Sequence, residues 1–283
     1  MTTLDPRLHA FRADLADVRL KGVVEAARFV EGTPRRVVAA AAPVKRRPRP
    51  DAGLESEALH GETFIVFEDG AEGWSWGQLE TDGYVGYVPT DALGPAAPEP
   101  THRVMALRTF LYPGPDLKLP ARACFSLGAR LALAGEAETR GTRYRLLAGG
   151  EGAVVATHVA PVAAPPEGDF VAVAERFLGT PYLWGGRTSV GLDCSGLVQL
   201  ALMAAGHPAP RDTDLQEAMV GHPVEGGAAA VGRGDLVFWA GHVGVMIDGE
   251  YMIHASGHQM AVVVEPLSDA LARIGPPRTV RRL

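Results

Sequence analysis

Apolar positions alternate with polar ones in short runs through the first half of the chain and take helical spacing near residue 170. Phe64-Ile-Val-Phe67 ends at Glu68-Asp69-Gly70, Trp74-Ser-Trp76 is followed by Asp82-Gly83, and Tyr84-Val-Gly-Tyr-Val88 comes next. Short β-prone runs punctuated by turn residues predict a small barrel or sandwich over about 36–94. The rhythm returns more weakly over 101–162, where Arg143–Leu147 precedes Gly149-Gly150 and Ala153-Val-Val-Ala156. Gly152-Ala-Val-Val stands there as Gly86-Tyr-Val-Pro stands in the first block, so the two blocks read as copies of one module of roughly 60 residues. Pro95, Pro98 and Pro100 form a stiff linker between them, and Pro161, Pro165 and Pro166 mark the next boundary. Residues 1–35 carry mixed apolar spacing at Ala10, Leu15, Val18 and Val23–Val30, which predicts a partly helical leader packed on the next domain.

From about 168 to 283 the pattern changes. Phe170–Leu178 has helical apolar spacing, and Leu197–Ala205 is apolar on nearly every side, as a buried helix is. The β-like runs Leu236–Trp239, Val243–Ile247, Tyr251–His254 and Val262–Val264 follow, so this part reads as an α+β domain. Composition narrows the function. With 27 basic and 33 acidic side chains in 283 residues the formal charge is −6, which disfavours a nucleic-acid partner. Lys45-Arg46-Arg47 with Arg49 then reads as a solvated loop. The longest apolar runs, such as Val37–Val44, fall far short of a bilayer, so no membrane partner is expected. The start Met-Thr-Thr-Leu-Asp-Pro-Arg does not have the form of a secretory signal. Two cysteines cannot form a disulfide framework, and both features predict a reducing, cytoplasmic setting.

The chemistry concentrates in Gly191-Leu-Asp-Cys-Ser-Gly-Leu-Val198. A thiol at a helix start feels the positive end of the helix dipole, which lowers its pKa, and the amides there can receive an oxyanion. A small buried core cysteine is the competing reading of Cys194. Cys124 has no base nearby in sequence and reads as an inert thiol; His207, His222 and His258 lack metal-ligand spacing, and Asp235 reads as a turn residue. A nucleophilic Cys194 needs a base, and His242 and His254 each sit on a strand-like run. Strand register sets a condition on using both. A two-residue turn at Asp248-Gly249 puts them on opposite faces, whereas an odd-length loop or a bulge makes them diagonal neighbours on one face.

Thr180-Pro-Tyr-Leu-Trp-Gly-Gly186, Asp193-Cys-Ser-Gly-Leu197, Pro210-Arg-Asp-Thr213, Gly234-Asp-Leu-Val-Phe238, His242-Val-Gly and His254-Ala, in this order over 168–283, resemble an NlpC/P60 cysteine peptidase domain. The two β modules resemble bacterial SH3-like (SH3b) domains, at 36–94 and 101–162. The resemblance implies a papain-like catalytic fold behind two small SH3b barrels. It also implies Cys194 as nucleophile, His242 as base, His254 as the residue that orients it, and no metal or cofactor. Tyr182, Trp184, Asp193, Ser195 and Thr213 are placed in the substrate site by the same resemblance. The arrangement is similar to the γ-D-glutamyl-L-diamino-acid endopeptidases, or dipeptidyl-peptidase VI group, which recycle free murein peptides. In that group the free amine of L-Ala is bound by an acid beside the cysteine, here Asp193, and by residues of the first SH3b domain. Tyr84 is the candidate there, with Glu57 or Glu55 as the acid. Core positions are the competing reading for Tyr84 and Trp76, and a helix N-cap is the competing reading for Asp193. Hydrolysis of intact wall and a non-catalytic wall-peptide-binding protein are the alternative functions.

Overall fold

The computed structural model describes residues 4–150 and 152–283, which form two compact units that meet in sequence at Ala164 and Pro165. The first unit is built on a seven-stranded antiparallel sheet. Its order is Leu54–Leu59, Ala41–Lys45, Val85–Pro89, Trp74–Leu79, Thr63–Asp69, Thr33–Val37 and Leu93–Gly94. Val37, Val44, Phe64, Leu79, Tyr84 and Val88 fill its core.

The leader departs from expectation. Its regular structure is a two-strand parallel pair, Ala16–Asp17 with Phe29–Val30, and a 3-10 turn at Val18–Leu20. Its apolar residues are spent on a docking contact: Ala10 and Leu15 are buried with Phe67 and Trp76 of the sheet. Arg12 lies 4.3 Å over the Trp76 ring and reaches Tyr87 and Glu68 at 2.8 and 2.6 Å. Packing on the next domain therefore replaces helix formation.

Residues 102–161 form three small antiparallel sheets around Val104, Phe125, Leu131, Leu133 and Val154. In both modules a strand runs into a 3-10 turn and then a short closing strand. The sequence is Val85–Pro89, Thr90–Ala92, Leu93–Gly94 in the first and Ala153–Val155, Ala156–His158, Val159–Pro161 in the second.

In the second unit, helices α1 (Phe170–Glu175), α2 (Cys194–Ala204), α3 (Thr213–Met219) and α4 (Leu267–Ile274) accompany a six-stranded antiparallel sheet. Its order is His222–Pro223, Thr279–Arg282, Leu236–Trp239, His242–Met246, Tyr251–Ser256, Ala261–Pro266. Helix α2 is buried over Cys194–Leu202, as an all-round apolar helix must be. Leu267 and Ala270 of α4 cover Val237, Trp239, Met246, Met252 and Val280. Asp235 is fully buried and structural: Arg282 meets its carboxylate at 2.7 and 2.6 Å and the Gly232 amide donates at 2.7 Å.

Candidate active site

Asp193 starts α2. Its Oδ1 accepts from the Gly196 amide at 2.7 Å, the N-cap bond expected from the sequence. The carboxylate does more than cap. Arg211, 1% exposed, clasps it with two hydrogen bonds of 2.9 and 2.7 Å and also reaches Ser195 Oγ at 2.9 Å; the Gly185 amide donates to Oδ2 at 2.9 Å. This buried knot ties the Gly185-Gly186 loop to the helix start. It also explains the glycine in Asp193-Cys-Ser-Gly196, because a Cβ at 196 would stand 2.3 Å from the Gly186 carbonyl oxygen.

Cys194 is therefore held at the first position of a rigid helix. Its Sγ lies 3.8 Å from Thr213 Oγ1 at the start of α3 and 3.9 Å from the carbonyl of Gly241. The Val243 amide also faces the sulfur, so it rests against the backbone on both sides of His242. The charge balance corrects the expectation of a thiolate favoured by the helix dipole. Burial pushes the thiol up, the Asp193 carboxylate adds to the rise, and the Thr213 hydroxyl, the Val243 amide and Arg211 act against it.

The strands carrying the histidines pair Val245 with Ile253 and Met246 with Met252, and Ile247 closes on the Tyr251 carbonyl at 2.9 Å. The connection is thus the three residues Asp248–Glu250, an odd-length loop. Gly249 is not left-handed; the Asp248 carboxylate holds the turn instead, accepting from the Glu250 and Tyr251 amides at 2.7 Å each. His242 and His254 consequently share a face, their rings 4.9 Å apart and nearly perpendicular, with Nε2 of His242 2.7 Å from Nδ1 of His254. Burial depresses His242 to about 3, helped by His254 and Arg273, and depresses His254 to about 4. Both rings are neutral near pH 7. The thiol is directed at Gly241 and the His242 ring at His254, so a thiol–imidazole hydrogen bond is not formed in this geometry. Such bonds commonly tighten only when substrate binds.

Tyr182 is partly buried, and its hydroxyl is pushed up to about 12 by burial and then by Cys194 and Asp193, so it stays a hydrogen-bond donor. Trp184 is 69% exposed on the loop before the helix. In the first unit Tyr84 is a core residue, 3% exposed, that also edges a cavity of about 640 Å³ shared with Asp5, Arg7, Arg46 and Glu55. Glu55 pairs with Arg46 at 2.9 Å, whereas Glu57 lies opposite Pro43 and is not among those walls. Trp76 is core, and burial raises the Cys124 thiol. The basic run is locally paired, as Arg46–Glu55 and Arg49–Asp51 show. His207, His222 and His258 are exposed.

Sequence reasoning missed two groups. Arg211 was read only as part of a motif, and nothing local distinguishes a buried arginine from a surface one. Glu265, 8% exposed, has its Oε1 2.8 Å from Nε2 of His254, and Arg273 grips the same carboxylate. The available signal was the helical spacing of Leu267, Ala270, Leu271 and Ile274 after Pro266, which places Arg273 back over Glu265.

A cysteine at the start of a buried helix, facing a sheet that carries a histidine pair, defines the papain-like α+β class. Residues 179–273 match the NlpC/P60 family and residues 44–93 match the bacterial dipeptidyl-peptidase Sh3 domain. The chain thus carries an NlpC/P60 domain, with a bacterial SH3 domain ahead of it. Among curated proteins it is 33% identical over 112 residues to a gamma-D-glutamyl-L-lysine dipeptidyl-peptidase of Bacillus subtilis, covering 36% of this chain and 36% of that protein. It is 37% identical over 87 residues to dipeptidyl-peptidase 6 of Lysinibacillus sphaericus, covering 30% of this chain and 31% of that protein. The chain thus spans about a third of the length of these relatives. A solved NlpC/P60 family protein of Bacillus cereus superposes with a TM-score of 0.73 at 23% identity, over 88% of this chain and 99% of that one, which establishes likeness of fold. No helix among the described residues is long and apolar enough to cross a membrane.

Proposed function

We propose that the protein is a cysteine endopeptidase that cleaves the γ-D-glutamyl–L-diamino-acid bond of free murein peptides. The observation that carries this reading is the pairing of a helix-start Cys194 with the hydrogen-bonded His242–His254 pair, in a chain similar to peptidases named for that bond. The thiol leaves the Gly241 carbonyl, gives its proton to the His242 nitrogen not bonded to His254, and attacks the γ-carbonyl of D-Glu. The Cys194 amide and the Tyr182 hydroxyl receive the oxyanion. His242 returns the proton to the leaving amine, and water, activated by the same imidazole, then releases the acyl group.

Because burial raises the thiol and lowers the imidazole, proton transfer accompanies attack rather than preceding it. Both limbs of the pH profile are pushed outward: His242 must be protonated, near 3, to lose the base, and the thiol must ionise above its ordinary value to lose the shared proton. The dependence of kcat/KM on pH is expected to be flat from about pH 5 to about pH 8. An acid limb centred at the ordinary histidine value of 6.5 would contradict it.

The second β module repeats the strand–3-10–strand ending of the first, and this supports reading it as a second SH3b domain. Residues 168–283 are the peptidase domain in this reading. Substrate choice rests on a free L-Ala amine, for which Asp193, beside the cysteine and shared with Arg211, is the acid. An N-acetylated peptide presents an uncharged amide where a carboxylate expects an ammonium. Its kcat/KM is expected to be about a hundredfold lower or worse than that of the free tripeptide. Equal rates on the two peptides would remove the amine site and leave an enzyme of intact wall. The same reading places the reaction in cytoplasmic peptide recycling, which cell fractionation with an antibody to the chain checks.

A further inference from the structure

We propose that Glu265, held by Arg273, is a positioning residue that fixes the proton-bearing nitrogens of both catalytic imidazoles and leaves Nδ1 of His242 free to act as base. This rests on the reading of His242 as the base of a thiol peptidase. Glu265 is the penultimate residue of its strand, just before α4, and the helix returns Arg273 over it. Nη1 of Arg273 meets Oε2 at 2.9 Å, Nη2 meets Oε1, and Nε2 of Gln259 approaches Oε2 at 3.4 Å. A carboxylate this buried and this well supplied with donors is ionised, and an ionised carboxylate only accepts. Its contact to His254 is short but bent, with Nε2 and Oε1 2.8 Å apart away from the ideal hydrogen-bond line.

The consequence propagates. Nε2 of His254 must carry the proton, so Nδ1 of that neutral ring has only a lone pair. The atom 2.7 Å from it, Nε2 of His242, must then be the donor. A neutral His242 with its proton on Nε2 has a bare Nδ1, the one nitrogen able to take a proton from sulfur. With the opposite pair of tautomers the base nitrogen would already be occupied.

Glu265→Gln tests this sharply. Oε2 faces two fixed donors, Nη1 of Arg273 and Nε2 of Gln259, whereas Oε1 faces Nη2 of Arg273 and a His254 ring that can switch to acceptor, so the amide oxygen takes the Oε2 position and the NH2 turns toward His254. That NH2 needs an acceptor, which reverses both rings and puts the proton on Nδ1 of His242. In a serine-protease triad the comparable wrong tautomer costs about 10⁴-fold in kcat; one ring further out, a fall of about a hundredfold in kcat with KM changed less than about twofold is expected. Nitrogen-15 NMR of histidine-labelled protein reads the tautomers directly. The wild type is expected to show Nε2–H on both His242 and His254, and Glu265→Gln to show Nδ1–H on His242. Nδ1–H on His242 in the wild type, or a Glu265→Gln protein with wild-type tautomers and kcat, overturns the proposal. If Glu265→Gln does not fold, the wild-type spectrum alone decides. A wild type that has the expected tautomers yet cleaves no murein peptide refutes the proposed function and leaves the relay standing.

Discussion

Cys194→Ala is expected to lower turnover of a free L-Ala-γ-D-Glu-L-Lys peptide by at least ~10³-fold while leaving the fold intact. The two halves of that expectation have separate causes. The activity is lost because neither neighbouring hydroxyl replaces the thiol: Ser195 Oγ is tied to Asp193 and Arg211, and Thr213, 3.8 Å from the sulfur at the start of α3, offers a far weaker nucleophile. The fold survives because the sulfur's contacts, to Thr213, Gly241 and the Val243 amide, are weak, while the helix start is secured by Asp193 and Arg211. Matching circular dichroism and denaturation midpoints for the two proteins, with hydrolysis only in the wild type, is the expected outcome. A Cys194→Ala protein that still cleaves the peptide would return this residue to the status of an inert core thiol.

Arg211→Met is expected to destabilise the second unit strongly, by about 3–5 kcal/mol. The substitution preserves bulk but strips the buried Asp193 carboxylate of its bidentate partner, and the remaining amide donors of Gly185 and Gly196 cannot neutralise it. Ser195 loses a 2.9 Å donor at the same time. Urea denaturation of the isolated chain measures this. Adding Asp193→Asn to Arg211→Met should recover part of the loss, because the uncompensated charge is then gone while the amide oxygen can still cap α2. A change below about 1 kcal/mol for Arg211→Met would mean that the pair is screened by water rather than buried, and that something else holds the cysteine in place.

What could be read from the sequence was what short-range chemistry dictates. The cysteine after a capping aspartate, the all-round apolar α2 and the β-run spacing each follow from a few consecutive residues. The histidine pairing was also legible, because loop length fixes register and register fixes faces, and the three-residue loop satisfies that condition. The leader was misread because its apolar spacing does not say which surface it covers; Ala10 and Leu15 are decided by Phe67 and Trp76, some fifty residues away in sequence. Arg211, Glu265 and Arg273 escaped for a related reason. A charged residue declares itself buried only through its partner, and the partners here come from other elements of the unit. The direction of the thiol's pKa was missed likewise: the helix dipole is a local feature, whereas burial and the Asp193 carboxylate are set by the assembled site.

The thiol–imidazole site is expected to open the γ-glutamyl bond and no other in the peptide. Mass analysis of products from the purified chain incubated with free L-Ala-γ-D-Glu-L-Lys, and in parallel with the meso-diaminopimelate peptide, addresses it most directly. L-Ala-D-Glu dipeptide and the free diamino acid are expected from one or both substrates, with neither product formed by Cys194→Ala. Release of L-Ala, or no cleavage of either peptide by a correctly folded wild type, would contradict it.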